Sequence, residues 1–367
     1  MHIFTALFLV LSISLSSWGA VNWEASAHGL FLIRQSNFHK EDVDPTNVDQ
    51  TPNGLNLREA EFQLASKIDD RHRLSFLFAV APEYESDGVS IHEHWPIEIE
   101  EAYSESEFVT DTTFRLGKFK AALGKHNRLH THDYLFVDAP LINSYLLGEH
   151  GLNDVGASFS FYIPSSWSNE VTLQYIRGKG ENEFFNSPSR SAGVGLVNWS
   201  HLFTMEDAKT LEIGVSYAAG ENGFRQPTTY TGADLTFESG TASDEHSAKL
   251  IWAVEYIQRI RQQKDIEDEK GSGVATWIQY EVIPAWALLY RYDDLKIDHS
   301  FDITAMPDNK WQRHSVGIKY FYRPSISYRL ELNQTKMEQA NVNGKDMENA
   351  ILIQANFSIG SHEGHSH

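Results

Sequence analysis

Cysteine is absent from the chain, which rules out disulfides and thiolate metal sites and says little about compartment. Basic residues are scarce: 30 Lys and Arg stand against 50 Asp and Glu, for a formal charge of -20. Nucleic acid is therefore excluded as a partner, because phosphates are bound through basic surfaces. Long apolar runs are missing too. After the first twenty residues none approaches the ~20 residues of a membrane helix, so a helical membrane protein is excluded. A transmembrane β-barrel is not, because its strands alternate apolar and polar side chains and average to modest hydropathy. The 367 residues allow two soluble domains or one large all-β domain.

What is present begins with an apolar stretch, Phe4 to Ser17, followed by small residues, the pattern of a secretory signal peptide. Cleavage falls after Ala20, or after Ala27 at the A-x-A triplet Ala25-Ser26-Ala27. The expected organisation is a signal peptide over 1–27, an outer-membrane β-barrel over 28–359 and a His-rich periplasmic tail over 360–367.

From His28 onward, period-2 segments recur and amphipathic helices do not. Val155, Ala157, Phe159, Phe161 and Ile163 alternate with Gly156, Ser158, Ser160 and Tyr162. Leu250, Trp252, Val254 and Tyr256 repeat the pattern, as do Ile351, Ile353, Ala355, Phe357 and Ile359. Such alternation predicts strands, near 28–38, 55–68, 72–82, 97–108, 111–119, 153–163, 168–178, 190–203, 208–219, 229–239, 246–260, 272–282, 285–293, 310–322, 325–334 and 348–359. These are about 16 segments, each near or above the ~9–11 residues that a tilted strand needs to cross a bilayer. Short connections (Asp69-Asp70-Arg71, Ile283-Pro284, Arg323-Pro324) alternate with longer polar ones such as 39–54, 83–96 and 120–152. Sorting by parity is the mark of an up-and-down antiparallel barrel with periplasmic turns and extracellular loops; soluble sandwiches mix their connection lengths. One segment breaks the pattern. Ile97, Ile99 and Tyr103 share a face with Glu101, and a carboxylate toward lipid is disfavoured, which requires a bulge near Glu100-Glu101 or a position at the rim.

The third long connection, 120–152, carries His126, Arg128, His130, His132, Asp133, Asp138, Glu149 and His150. Imidazole with carboxylate suits zinc or a related divalent ion, provided three or four donors converge. The candidate ligands are His126, His130, His132, Asp133 and Asp138; equally, these side chains could hydrogen-bond within a packed loop or line water in the lumen. Two other tracts are weaker candidates: His92-Glu93-His94-Trp95 in the second long loop, and the tail with His362 and His365, where Gly and Ser spacing suits loose metal binding or a disordered end. The acidic run Asp265 to Glu269 reads as a solvated loop. No motif supports catalysis, so the chain is expected not to be an enzyme and to require no cofactor beyond a transient Zn or other divalent cation.

A series of short motifs carries a family resemblance. Gly54-Leu55-Asn56-Leu57-Arg58-Glu59-Ala60-Glu61 leads to Lys67-Ile68-Asp69, then Glu100-Glu101-Ala102-Tyr103, Leu116-Gly117-Lys118-Phe119, Gly124-Lys125-His126-Asn127 and His130-Thr131-His132. Phe136-Val137-Asp138-Ala139-Pro140-Leu141 and Asn153-Asp154-Val155-Gly156 follow. The series resembles the proteobacterial outer-membrane proteins labelled zinc-regulated TonB-dependent receptors, distantly similar to phosphate-selective porins. That resemblance implies outer-membrane placement, a porin-like barrel and a link to zinc supply, with the family's His-rich loop falling on His126, His130, His132 and Asp138. Lys118 stands where the family usually has arginine, and the chain ends in His367 rather than an aromatic, so the aromatic's role in recognition by the barrel-assembly machinery is either missing here or falls to Phe357. Receptors of the TonB type carry a plug in a barrel of about 22 strands, and a first strand starting at the cleavage site leaves no room for one.

The expected architecture is an all-β transmembrane barrel of about 16 strands with the third long loop folded into the lumen as a constriction. Its expected activity is passive diffusion of small ions or solutes, preferring cations and favouring divalent metals; the rival is a non-conducting surface barrel whose loops bind metal or a partner. Outer-membrane lipid is the expected surrounding, and fold analogy with porins implies a homotrimer.

Overall fold

The computed structural model describes residues 22–38, 51–86, 91–148, 150–179, 184–189, 191–206, 208–240, 250–298, 309–338 and 344–360. Sixteen strands close into one antiparallel barrel: β1 (Asn22–Ser36), β2 (Gly54–Asp69), β3 (His72–Val80), β6 (Ile97–Ser106), β7 (Thr112–Lys120), β8 (Asn153–Tyr162), β9 (Ser168–Ile176), β10 (Val194–Met205), β11 (Lys209–Glu221), β12 (Pro227–Ser239), β13 (Leu250–Arg261), β14 (Glu269–Ile283), β15 (Trp286–Asp298), β16 (Asn309–Arg323), β17 (Ile326–Met337) and β18 (Met347–Gly360). Each pairs with its neighbour in sequence, and β1 closes the ring against β18, from Ser26 opposite Gly360 to Ser36 opposite Ala350. The remaining two strands, β4 (Glu83–Ser86) and β5 (Ile91–His94), form a separate hairpin in the second long connection. Every strand expected from alternation is present.

Closure removes the sheet edge that would leave backbone amides unpaired in lipid. The two faces then divide by residue type. On β1, His28, Leu30, Leu32, Arg34 and Ser36 are buried toward the lumen while Phe31 and Ile33 are exposed outward. On β17, Arg329, Glu331, Asn333 and Thr335 point in, and Leu330 and Leu332 point out. Outward aromatics gather at the short-turn end, with Trp23, Phe108, Trp167, Trp286, Tyr322 and Tyr328 all exposed. An apolar band with an aromatic girdle around a polar interior is what a barrel needs to sit in a bilayer.

Three departures from the sequence expectation have physical causes. First, β1 starts at Asn22, so Ala25-Ser26-Ala27 lies inside a paired strand, with Ser26 opposite both Gln63 and Gly360. Second, loop parity fails at one place: the β11–β12 connection is only 222–226, while β12–β13 spans 240–249. Asn222 tightens the former, its Oδ1 accepting from the backbone N–H groups of Phe224 at 2.9 Å and Gln226 at 3.2 Å. Third, the misplaced carboxylate is resolved by a β-bulge. Leu77 pairs with Glu101 and Phe78 with Ile99, leaving Glu100 as the extra residue. A second bulge, on β2, makes Arg58 the extra residue between Leu57 and Glu59. Because a bulge aims two successive side chains to one side, both Glu100-Glu101 and Arg58-Glu59 face inward.

The third long connection enters the barrel, as expected. It contains 3-10 turns at His126–Arg128 and Thr131–Asp133 and one helix, α1 (Leu141–Leu147), preceded by Pro140 and ended at Gly148 with φ 88°. Helix α1 lies against β13, β14 and β15. Leu141, Ile142, Leu146 and Leu147 are fully buried there, each contributing on the order of 1.5–3 kcal/mol. β14 makes room with two glycines: a Cβ at Gly273 would stand 2.7 Å from Ile142 Cγ2, and one at Gly271 would collide with Leu146.

Candidate functional site

Inside the barrel the loop divides the lumen. Its backbone is tied to the wall by side chains from many strands: Ala122 N–H donates to Gln174 (2.8 Å), Gly124 N–H to Ser216 (3.2 Å), Val137 N–H to Glu331 (2.8 Å) and Leu141 N–H to Asp293 (3.2 Å). In return Arg329 donates to the Tyr134 carbonyl at 2.8 Å, and Arg259 and Tyr230 to the Leu146 carbonyl at 2.9 and 2.7 Å. Buried backbone groups need such partners, which explains why the lumen wall here is polar and charged rather than apolar.

Two charged clusters flank the loop. The first is a carboxylate–imidazole cluster. His130, fully buried, has Nδ1 2.8 Å from Glu100 Oε2 and Nε2 3.2 Å from Glu101 Oε2. His132 has Nδ1 2.7 Å from Glu61 Oε2 and Nε2 3.3 Å from Asp133 Oδ1, and its ring stacks on His28 at 3.9 Å. Thr131 donates to Glu59 at 3.2 Å, and Lys120 Nζ lies 3.9 Å from Glu100. Burial and the Lys120 ammonium push the His130 imidazole down, but its hydrogen bonds to Glu100 and Glu101 outweigh them and hold it at about 10. His132 is held below the ordinary histidine value, chiefly by burial.

The second cluster is an arginine bank on β2, β15, β16 and β17. Arg58 donates to Asp138 Oδ1 at 3.0 Å, Arg313 stands 3.9 Å from Asp138 Oδ2, and Arg291 donates to the Asp138 carbonyl at 2.6 Å and to Asp293 at 2.8 Å. Each arginine is matched by a carboxylate or carbonyl, as buried charges must be.

Of the residues singled out in the sequence, His130 and His132 enter one cluster but meet different carboxylates, His130 on Glu100 and Glu101 and His132 on Glu61 and Asp133. His126 lies outside it. Its ring packs on Tyr134 at 4.4 Å, near Trp277, and its backbone N–H donates to Glu255 at 3.3 Å. Burial, with Arg291 and Lys120 nearby, lowers its pKa to about 3. Asp138 orients arginines instead of imidazoles. His150 lies 3.6 Å from Glu98, and His94 pairs with Glu83 at 2.6 Å on the exposed β4–β5 hairpin. His362 and His365 lie outside the described residues. Sequence reasoning missed the wall carboxylates Glu59, Glu61, Glu100 and Glu101. The available signals were the Glu59-x-Glu61 spacing and the Glu100-Glu101 anomaly.

On the short-turn side of the loop the lumen opens into a cavity of about 610 Å³. Its walls carry five carboxylates (Glu101, Glu105, Glu170, Glu212, Asp234), five cations (Arg73, Arg115, Lys120, Lys125, Arg128) and hydroxyls such as Ser158 and Thr172. Several of these are paired, as in Arg115–Glu105 at 2.8 Å and Lys125–Glu212 at 2.7 Å.

No family model matches the sequence. A protein of Aquifex aeolicus described only as uncharacterized is 24% identical over 357 residues, covering 85% of this chain and 70% of that protein. Among solved structures, the anion-selective porin from Comamonas acidovorans superposes with a TM-score of 0.59 at 10% identity, over 93% of this chain and all (100%) of that one. The outer membrane channel DcaP of Acinetobacter baumannii gives 0.57 at 13% identity, over 93% and 97%. OmpT of Vibrio cholerae in its trimer form gives 0.57 at 11% identity, over 93% and 100%. Likeness at such identities speaks for the fold, and nothing in it bears on a TonB-dependent receptor: the chain has the sixteen-stranded barrel fold of outer-membrane porins.

Proposed function

We propose that the protein is a porin-like channel of the bacterial outer membrane, passing small solutes by passive diffusion and preferring cations. The observation that carries this reading is the lumen: a polar, charge-lined interior narrowed by an inserted loop, with a cavity of about 610 Å³ beneath it. A barrel of about this strand number leaves an aqueous passage, and lining charges set its selectivity. Glu59, Glu61, Glu100 and Glu101 at the loop, with the overall charge of -20, favour cations, and imidazoles among them make divalent metal ions the sharper substrate. Lipid surrounds the apolar band, the barrel-assembly machinery inserts it, and a homotrimer is the proposed assembly, by likeness to the trimer form of the Vibrio OmpT.

A second reading is favoured by the loop's many bonds to the wall: a non-conducting surface barrel, with the loop as a plug and the other loops as a binding face. Selectivity is tested by the reversal potential of the reconstituted barrel in a salt gradient. A cation-selective sign is expected. An anion-selective sign would mean that the arginine bank of Arg58, Arg291, Arg313 and Arg329 governs permeation, and would overturn the cation preference.

A further inference from the structure

The carboxylate–imidazole cluster is over-supplied with negative charge for a buried place. Four carboxylates, Glu59, Glu61, Glu100 and Glu101, come inward from β2 and β6, and facing them are the Lys120 ammonium and the rings of His130 and His132. Glu59 and Glu61 are both buried and project inward two residues apart on β2, so their like charges favour a cation or a proton beside them. Glu59 is 8% exposed, and its Oε1 is buried with no hydrogen-bond partner. One donor atom each from Glu61, Glu100 and His130 lie within 4.8 Å of one another. Ligands around a tetrahedral ion with bonds of ~2.0–2.2 Å stand about 3.3–3.6 Å apart, so a modest contraction brings the three into a coordination shell.

We propose that Glu61, Glu100 and His130 bind a divalent transition-metal ion, with Glu59 available as a fourth ligand, so that the ion staples the constriction loop to the barrel wall. The two carboxylates come from β2 and β6, and the imidazole from the loop. Coordination uses neutral imidazole, and the ion would sit where His130 Nδ1 and Glu100 Oε2 now face each other at 2.8 Å. One imidazole among carboxylates suits Zn²⁺ or Mn²⁺ rather than a thiophilic ion. Both bulges are part of the site: without the extra residue on β6, Glu100 would turn toward lipid. His132, bonded to Glu61 and stacked on His28, supports the shell from behind, as the partners of metal ligands do. The inference deepens the channel reading, on which it rests for the source of the ion.

The test titrates Zn²⁺ or Mn²⁺ into the folded full-length barrel, with a variant carrying His362→Ala, His365→Ala and His367→Ala to remove tail binding. One ion per chain is expected in both. Glu61→Gln and Glu100→Gln should each weaken binding at least tenfold, and His126→Phe should leave it unchanged. Unaltered affinity in both Gln variants, or loss of all binding with the tail histidines, overturns the site. If a Gln variant does not fold, X-ray absorption of the zinc-loaded tail variant decides. One nitrogen ligand among oxygens supports the assignment, and a shell of several imidazoles or of water alone refutes it. Ion binding without conductance would sink the channel reading and leave the site standing; conductance without ion binding would do the reverse.

Discussion

Truncating Leu146 to alanine gives a quantitative handle on how the loop is held. The Leu146 side chain is fully buried between α1 and the wall at Gly271, while its carbonyl accepts from Tyr230 and Arg259. Leu146→Ala keeps both hydrogen bonds and removes only packing. Leucine-to-alanine changes at fully buried positions cost about 3–5 kcal/mol, through lost transfer energy and the cavity left behind. Helix α1 touches the barrel only when the loop is docked, so the penalty falls on docking and not on the strands. At 1.4 kcal/mol per tenfold, even about 3 kcal/mol raises the undocked population roughly 100-fold. Trypsin reads that population directly, because Lys125 and Arg128 lie in the loop and cleavage tracks the open fraction when reclosing is fast. Loop cleavage in Leu146→Ala should accelerate on the order of 100-fold, with the heat-modifiable mobility of the barrel unchanged. Equal cleavage rates in variant and parent would show that the side chain does not anchor the loop.

Three further outcomes follow from the geometry. His126 is held at about 3 when docked and returns toward ~6.5 when released, so protonation favours release. The His126 contribution to docking should fall as pH drops from about 6.5 toward 3, by about 2 kcal/mol at pH 5, read as the difference between parent and His126→Phe in the pH dependence of loop openings; identical pH dependence in the two would refute the role of His126. Ala25-Ser26-Ala27 lies inside a paired strand, so cleavage after Ala20 is the expected outcome and Edman or mass analysis of the exported protein should find Val21 first; finding His28 first would contradict this. Cysteines replacing Asp265 and Lys345 should be labelled on intact cells and one replacing Ser166 should not, whereas equal labelling at all three would overturn the topology.

The architecture was largely legible in the sequence because a barrel strand has only two environments, lipid and lumen, and alternation reports both. Boundaries were less legible where residues are small: Asn22 to Ala27 reads as a cleavage region because alanine and serine suit a signal-peptidase site and a strand alike. The β4–β5 hairpin went unseen because polar alternation in a loop carries no apolar signal. Glu101 on an apolar face was the most informative anomaly, since a rule of lipid exposure had to be broken by a bulge, and that bulge turned out to build the site. The Arg58 bulge gave no such warning, because Arg58 stands among other polar residues. Loop histidines stood out by residue type, but which ones converge was not legible. His126 and His130 are four apart and diverge, with the second of the pair aimed at carboxylates 29 and 30 residues away in sequence. Contacts between a loop and the wall depend on closure of the whole ring, and no local pattern encodes them.

Single-channel recording of the purified, folded protein in planar bilayers tests the central claim most directly. Discrete, ohmic conductance steps are expected, with larger or more frequent openings in Leu146→Ala than in the parent. A correctly folded barrel that inserts and shows no steps in either form would contradict the channel account and leave the loop a plug.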